Sequence, residues 1–202
     1  MKKLILIFIL LNFNLFSQDY KIPPDVIRNM IEADPQPTLN LNNRGTSGLI
    51  LKRDGYQSID QLASDELRIA GTRIDPVRYT SSRMNYYKSF SLIDILSGLE
   101  ISANHPDDGK FSFFDWSPDE KKIAFTNTTD AGVELWVFDI KSNKSIKVSD
   151  LYINDINVKP FQWMNSSNEI LVSFRCSQEK PEISSVPTGP IIQETTDQNA
   201  PS

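Results

Sequence analysis

The sequence is poor in the residues that most often carry metal or nucleophile chemistry, with one cysteine and one histidine among 202 residues. A single cysteine excludes an internal disulfide and any cysteine-based zinc site, and a single histidine excludes a multi-histidine metal centre. Any Ser–His–Asp catalysis within the chain would have to use His105. Cys176 is expected to be a buried, inert thiol. We predict no catalytic, cofactor-binding or metal-binding residues, and no cofactor.

Basic charge is also scarce. Lys and Arg number 21 against 26 Asp and Glu, which gives a net charge of −5. Because proteins that bind nucleic acid usually present a basic face, the balance argues against nucleic acid as a partner. The hydrophobic fraction of 39% and the charged fraction of 23% are those of an ordinary globular protein. The length allows one domain with an attached segment.

The longest apolar run lies at the N-terminus and is short. Lys2 and Lys3 precede Leu4–Leu11, which is far fewer than the ~20 apolar residues that span a bilayer. This pattern predicts a secretory signal peptide over residues 1–17, with cleavage near Ser17. We therefore expect an exported protein, periplasmic or extracellular, without a stable membrane anchor. An uncleaved membrane anchor is the alternative.

Residues 18–78 are predicted to form an N-terminal extension with two short helices. The first covers Asp25–Glu32, where apolar residues fall on one face and proline precedes the first turn. The pattern Ser58-x-x-Gln61 is a capping box and predicts the start of the second helix. Between them, Gly48–Lys52 is expected to be a short buried strand.

From Tyr79 onward the pattern is that of strands and turns, and it repeats. Asp94 and Asp139 are 45 residues apart, and Trp116 and Trp163 are 47 apart, each within a similar local sequence. Strands in fours at a period of ~40–50 residues are typical of β-propeller blades. Residues 79–202 hold about two to three such repeats, whereas a closed ring needs roughly 4–8. The predicted fold is thus mainly β, an incomplete, truncated β-propeller preceded by the helical extension; a small β-sandwich is the alternative.

Four segments resemble a known family. They are Ile22–Pro24, Asp65–Pro76, Trp116–Asp119 and Val186–Thr195. In this order they resemble the N-terminal part of exported bacterial members of the prolyl oligopeptidase family of serine peptidases, in its glutamyl-endopeptidase-like branch. The resemblance implies a signal peptide, a β-propeller and a C-terminal α/β-hydrolase domain that carries Ser, Asp and His. It also implies that the propeller covers the active site and limits the access of peptides. Glu120 departs from the family by replacing the glycine usual after Ser-Pro-Asp.

The catalytic pattern of that family is not found in this sequence. The nearest match to the Gly-x-Ser-x-Gly nucleophile elbow is Gly45–Leu49, which lacks the second glycine and the preceding strand. His105 lies among residues that favour turns, so we expect a solvated loop histidine. Both segments are therefore interpreted as loops.

Two further groups of residues allow a functional and a structural interpretation. The three tryptophans, Trp116, Trp136 and Trp163, suit an aromatic ligand platform, but their repeated positions favour core packing. Arginines recur at positions 68, 73, 78 and 83, a period of neither helix nor strand, and no basic patch is predicted from it. Arg73 suits a substrate carboxylate, although a structural ion pair is the favoured interpretation.

Two functions from different classes follow. The first is the N-terminal propeller segment of an exported serine endopeptidase, which gates substrate access and is not catalytic by itself. Its partners would be the hydrolase domain of the parent protein and, through it, peptide substrates. The second is a stand-alone secreted binding module whose exposed sheet edges are covered by self-association or by a partner.

Overall fold

The computed structural model describes residues 21–107, 109–156 and 159–176. The predicted signal peptide and the segment Val186–Thr195 lie outside these residues. Two helices, α1 (Asp25–Glu32) and α2 (Ile59–Ala63), begin where the sequence predicted them. The strands are β1 (Thr38–Leu41), β2 (Ser47–Arg53), β3 (Leu67–Ile69), β4 (Thr72–Asp75), β5 (Thr80–Ser81), β6 (Tyr87–Asp94), β7 (Glu100–Ser102), β8 (Phe111–Trp116), β9 (Lys122–Thr128), β10 (Val133–Asp139), β11 (Lys144–Lys147), β12 (Phe161–Trp163) and β13 (Ile170–Val172).

The main strands form two antiparallel units with the same order of four strands. Unit 1 contains β1, β2, β6 and β7, and unit 2 contains β8, β9, β10 and β11. A single residue pair, Tyr87 with Phe111, joins the two units at β6 and β8. The hairpin of β12 and β13 begins a third unit. The predicted fold class, mainly β with repeated antiparallel sheets, is confirmed.

The 45-residue repeat arises from a turn that both units share. Asp94 Oδ1 accepts hydrogen bonds from the backbone N–H of Ser97 at 2.8 Å and from its hydroxyl at 2.7 Å. Asp139 Oδ1 accepts the same two bonds from Ser142, at 2.8 and 2.7 Å. Asp and Ser stabilise turns through such local bonds. The Asp-x-x-Ser spacing that recurs in the two units therefore has a local physical cause.

A second shared turn joins the first strand of each unit to the second. In each turn one residue has a left-handed backbone: φ is +67° at Gly45, +58° at Glu120 and +59° at Ser167. Glu120 accepts a hydrogen bond from the backbone N–H of Arg44 at 3.2 Å, and Ser167 Oγ accepts one from that of Asp119 at 3.0 Å. The left-handed residue of each later turn therefore clasps the turn of the unit before it. We call this contact the turn clasp.

The core has two layers, one on each face of unit 2. The first layer lies between units 1 and 2, and its buried residues are Leu49, Leu51, Phe90, Ala103, Phe111, Ile123, Phe125 and Phe138. The second lies between unit 2 and β12, and its buried residues are Ala124, Val133, Leu135, Ile153, Phe161 and Trp163. Neighbouring residues of β9 alternate between the two layers, as expected for side chains on a strand.

The first unit begins earlier than the boundary predicted at Tyr79. Strands β1 and β2 lie within residues 18–78, yet β2 pairs with β6 along its length. Residues 54–86 separate these two strands and carry α2 and a small sheet of β3, β4 and β5. This insertion hides the repeat, because the sequence pattern depends on a constant spacing between successive strands.

Two side chains differ from their sequence-based expectation. Cys176, expected to be buried, is exposed, because it lies beyond the end of β13. His105, expected to be solvated, is half-buried, and its ring centroid lies 5.2 Å from that of Phe90 and 5.0 Å from that of Phe111. The segment that links β7 to β8 passes over the first core layer at this point.

Candidate functional site

The inserted sheet, residues 54–86, holds the most charged contacts of the described chain. Ala70 and Gly71 both have positive φ, +50° and +84°, which is the conformation of a two-residue type I′ hairpin turn. This turn fixes the register of β3 and β4 and places Arg68 directly opposite Arg73. The insertion therefore brings together two arginines that are five residues apart in the sequence.

Glu66 lies at the centre of these charges. Its carboxylate accepts hydrogen bonds from Arg68 Nε at 2.9 Å, from Arg73 Nη1, from Ser82 Oγ at 2.9 Å and from Arg83 Nε at 3.3 Å. Burial acts to raise the pKa of Glu66, but the bonds from Ser82 and Arg68 and the charges of Arg73 and Arg83 outweigh it and lower the pKa to about 2. We call these three arginines with Glu66 the arginine cluster.

The arginine cluster corrects one prediction and supports another. No basic patch was predicted, yet three of the four regularly spaced arginines converge on one carboxylate. The reason is the fold of the insertion, which the spacing alone does not reveal. Arg73 does form the structural ion pair that the sequence favoured.

The fourth arginine, Arg78, attaches the insertion to unit 2. Its guanidinium contacts Asp75 Oδ2 at 2.8 Å and Asp130 Oδ1 at 2.9 Å, and it donates to the carbonyl of Thr129 at 3.2 Å. Burial acts to raise the pKa of Asp75, but hydrogen bonds from Arg78 and Val77 lower it below its ordinary value. Thus Arg78 links the end of β4 to the turn between β9 and β10.

A polar cavity of about 300 Å³ lies beside Arg78, between the insertion and unit 2. Its lining includes Ser58, Gln61, Asp75, Tyr86 and Thr128. Gln61 donates to the carbonyl of Met84 at 2.6 Å, while its backbone N–H donates to Ser58 Oγ at 3.2 Å. Ser58 therefore caps α2 as predicted, but the capping box is incomplete, because the Gln61 side chain binds Met84 instead of returning to Ser58.

Asp155 is an uncompensated buried carboxylate near this cavity. It is 2% exposed, and neither carboxylate oxygen has a hydrogen-bond partner among the described residues. Burial raises the pKa of Asp155 to about 6, and the nearby hydroxyl of Thr80 lowers it only in part. No sequence pattern indicates this group, because its burial depends on how the insertion packs against the segment after β11.

The tryptophans pack between units rather than forming a ligand platform. Trp163 is 8% exposed and Trp116 is half-buried. The indole N–H of Trp116 donates to Asn40 Oδ1 on β1 at 3.0 Å, and that of Trp163 donates to the carbonyl of Asp115 on β8 at 3.1 Å. Each therefore contacts the first strand of the preceding unit, as equivalent residues of a repeat should.

The segment closest to a nucleophile elbow is a hairpin turn. Gly45 lies between β1 and β2, and the backbone N–H of Ser47 donates to Asn42 Oδ1 at 3.1 Å. A nucleophile elbow joins a strand to a helix, whereas this turn joins two antiparallel strands. The loop interpretation therefore holds for Gly45 and Thr46 only, because Ser47–Leu49 lie in β2 and β1 precedes the turn. The absence of a following helix still separates the segment from a nucleophile elbow.

Residues 21–107, 109–156 and 159–176 contain neither a grouped set of metal ligands nor a membrane-spanning helix. In these ranges no three His, Cys, Asp or Glu side chains are grouped so that they would hold a metal ion. Neither helix there has the length and hydropathy needed to cross a bilayer.

Two curated proteins are similar to this chain in sequence, each described as a probable chloroplastic glutamyl endopeptidase. The protein of Oryza sativa subsp. japonica is 28% identical over 195 residues, which cover 89% of this chain and 21% of that protein. The protein of Arabidopsis thaliana is 30% identical over 185 residues, which cover 85% of this chain and 19% of that protein. The chain thus spans about a fifth of the length of the curated relatives that it matches.

Comparison with protein-family profiles and with solved structures adds two facts. No family profile matches the sequence. The acylaminoacyl peptidase of Pyrococcus horikoshii is 16% identical, with a TM-score of 0.45, over 79% of this chain and 20% of that one. The resemblance to the glutamyl-endopeptidase-like branch, stated above from the motifs, is confirmed by the two sequence relatives.

Proposed function

We propose that this chain forms the N-terminal part of the propeller of an exported serine endopeptidase, where it limits the access of peptides and supplies no catalytic group. Units 1, 2 and 3 are then successive blades. The sequence similarity to glutamyl endopeptidases supports the family. Because the chain spans about a fifth of the length of these proteins, the proposal assigns the catalytic domain to the rest of the parent protein.

The observation that carries the proposal is the unequal cover of the sheet faces. Unit 2 has a core layer on both faces. The outer face of unit 1 presents Leu39 and Leu41 at 52% and 49% exposure. At the other end, an apolar cleft of about 870 Å³ lies between β11 and β13, with Ile146 and Leu171 in its lining. A ring of blades gives each such face a neighbour, since each blade is a small sheet that packs against the next.

The second candidate function is a stand-alone secreted module. The same open faces favour it, because a second copy of the chain or a partner would bury Leu39, Leu41 and Leu171 as another blade does. The two candidates differ in mass and in chemistry. The parent enzyme carries a reactive serine and is much longer than 202 residues, whereas the module associates through its faces and carries none.

Reading the gene downstream of Ser202 separates the two candidates. An in-frame continuation with further repeats and a Gly-x-Ser-x-Gly motif is expected, and a stop codon there would favour the module. A serine-directed fluorophosphonate probe should label the longer product and leave the 202-residue chain unlabelled. Stoichiometric labelling of Ser47 in the short chain, lost on His105→Ala, would contradict the non-catalytic role.

Export of the protein is part of the proposal. It is supported by Lys2, Lys3 and the apolar run that follows them, which have the flanks and length of a signal peptide. N-terminal sequencing of the protein from the periplasm or the medium should begin at or near Gln18. An intact Met1 on the exported protein would contradict cleavage.

A further inference from the structure

We propose that the arginine cluster is a binding surface for an extended acidic peptide, with Arg68, Arg73 and Arg83 taking its carboxylates. The charges within the arginine cluster do not balance. Three guanidinium groups face one carboxylate, which leaves a local net charge of +2. Asp65, the adjacent acidic residue, makes no ion pair with them among the described residues. This excess lies on a chain whose overall net charge is −5.

The arginine cluster is the exception among the ion pairs of the described chain. Every other basic side chain with an acidic partner is matched or outnumbered by acids. Arg78 contacts two carboxylates, as does Lys88, whose ammonium lies 3.4 Å from Asp34 and 2.8 Å from Asp54. Among the ion pairs of the described residues, the cations outnumber the acid only around Glu66. A structural ion pair alone does not need three arginines for one carboxylate.

The unused hydrogen-bond donors of the three arginines also favour a ligand. A carboxylate offers about four lone-pair sites, and the bonds to Glu66 already fill them. Each guanidinium has about five N–H donors, and those of Arg68, Arg73 and Arg83 make no other hydrogen bond within the described residues. These side chains are 68%, 41% and 45% exposed. Several donors of each are therefore open to a ligand that approaches from solvent.

Glu66 prepares the arginines for binding by holding their side chains in place. Long basic side chains lose rotamer freedom when a ligand orders them, and a preformed arrangement avoids part of that cost. The guanidinium group also matches the planar, two-oxygen shape of a carboxylate. The cluster thus offers a fixed set of donors to carboxylates of another chain.

The neighbouring strand indicates why the ligand is an extended peptide. Strand β3 lies at the edge of its three-stranded sheet and pairs only with β4 within the described residues. Its outer backbone groups are free to pair with an added strand, which is a common mode of peptide recognition. A peptide on this edge has side chains next to Arg68, so carboxylates at alternate positions meet the cluster.

The test titrates the chain with fluorescein-labelled peptides and follows fluorescence anisotropy. One peptide alternates Glu with Ser, the second alternates Gln with Ser, and the third alternates Glu with Pro. We expect the Glu–Ser peptide to bind, with an affinity that falls as salt is raised. The Gln–Ser peptide should bind at least about tenfold more weakly, because it lacks the charges. The Glu–Pro peptide should also bind more weakly, because proline fixes φ at about −65° and so disfavours the extended backbone of an added strand.

Matched variants distinguish binding from a structural role. Arg83→Gln should weaken the Glu–Ser peptide about fivefold, as expected for one exposed ion pair, while Arg53→Gln, the same change on β2, leaves it unaltered. Glu66→Gln removes the competing carboxylate and should tighten binding, although it lowers stability. Thermal unfolding of each variant checks that it remains folded.

Three results would overturn the proposal. They are equal affinity for the Glu–Ser and Gln–Ser peptides, weaker binding by folded Glu66→Gln, and equal loss of affinity in Arg83→Gln and Arg53→Gln. Inorganic phosphate is the remaining probe. If phosphate alone binds as tightly as the Glu–Ser peptide, the cluster is a general anion site and the peptide assignment is wrong. These outcomes do not depend on whether the chain belongs to a longer enzyme.

Discussion

Units 1 and 2 share one strand order and the same pair of turns, but they differ in cover and in continuity. Unit 2 is buried on both faces and joins β9 to β10 through a short turn. Unit 1 is buried on one face and holds residues 54–86 between β2 and β6. Turns and core positions therefore maintain the repeat. The unusual chemistry, Glu66 and its arginines, lies where unit 1 departs from it.

The largest difference in stability cost should appear between a residue of the buried core layer and one on the open face of unit 1. Phe125 in unit 2 is fully buried, with its ring centroid 5.2 Å from that of Phe90, so Phe125→Ala should lower the free energy of unfolding by about 3–5 kcal/mol. Leu39 on the open face of unit 1 is 52% exposed, and Leu39→Ala should cost less than about 1 kcal/mol. Urea unfolding followed by tryptophan fluorescence measures both. Similar costs would show that the open face of unit 1 is covered in solution.

The next largest effect on stability is expected from Asp155, which lies where the insertion of unit 1 contacts the segment after unit 2. Its pKa is raised to about 6 from an ordinary value of 3.8, so between these values the folded protein holds a proton that the unfolded chain has lost. The contribution of Asp155 to stability should therefore fall as pH rises from about 4 to about 6 and remain low above that range.

Asp155→Asn should remove this decline and raise stability at neutral pH by up to about 3 kcal/mol, since one pKa unit corresponds to about 1.4 kcal/mol. Urea unfolding across the pH range measures the change. Asp60→Asn, at an exposed carboxylate of the insertion, is the matched control and should retain the decline. A decline that persists in Asp155→Asn would assign it to another group.

A smaller effect is expected at the turn clasp between the two units. Glu120 accepts hydrogen bonds from Asn42 Nδ2 at 2.8 Å and from the N–H of Arg44 at 3.2 Å, and its φ is +58°. Glu120→Ala loses these bonds and keeps the strained backbone, so it should cost about 2 kcal/mol. Glu120→Gly loses the same bonds but relieves the backbone, and it should cost about 1 kcal/mol less than the alanine variant. Equal costs would show that backbone strain is not significant at this turn.

The smallest effect tests whether the repeated turns are energetically alike. Ser97→Ala and Ser142→Ala each remove a hydroxyl that bonds to an aspartate at 2.7 Å. Each should cost about 1 kcal/mol, which is typical of one hydrogen bond. Ser97→Ala should cost at least as much as Ser142→Ala, because Ser97 Oγ also accepts a hydrogen bond from the backbone N–H of Leu99 at 3.3 Å. A clearly smaller cost at Ser97 would mean that the insertion in unit 1 changes the stability of the distant end of that unit.

Features with a local cause were predictable from the sequence. Asp-x-x-Ser turns, the cap at Ser58 and the helix of Asp25–Glu32 depend on neighbours within a few residues, and each lies where it was predicted. The repeat was visible for the same reason, since its period is fixed by turns of constant length. Only the interruption of unit 1 concealed the first strands.

Features with a distant cause were not predictable. Glu66 contacts Arg83, 17 residues away, and Arg78 contacts Asp130, 52 residues away. Neither contact can be predicted from a regular spacing in the sequence. His105 and Asp155 owe their burial to segments that cross other elements, and composition favours a loop at both places. The arginine cluster is thus a product of tertiary folding, even though Glu66, Arg68 and Arg73 all lie within the segment Asp65–Pro76.

The turn clasp also implies an order in which the turn contacts of the chain form. In each pair the accepting side chain, Glu120 or Ser167, comes later in the sequence than the backbone N–H that it binds, that of Arg44 or Asp119. Whether the chain emerges from the ribosome or from the export channel, the earlier turn of each pair therefore appears before the residue that binds it. Each unit completes its turn contacts only when the next unit has emerged.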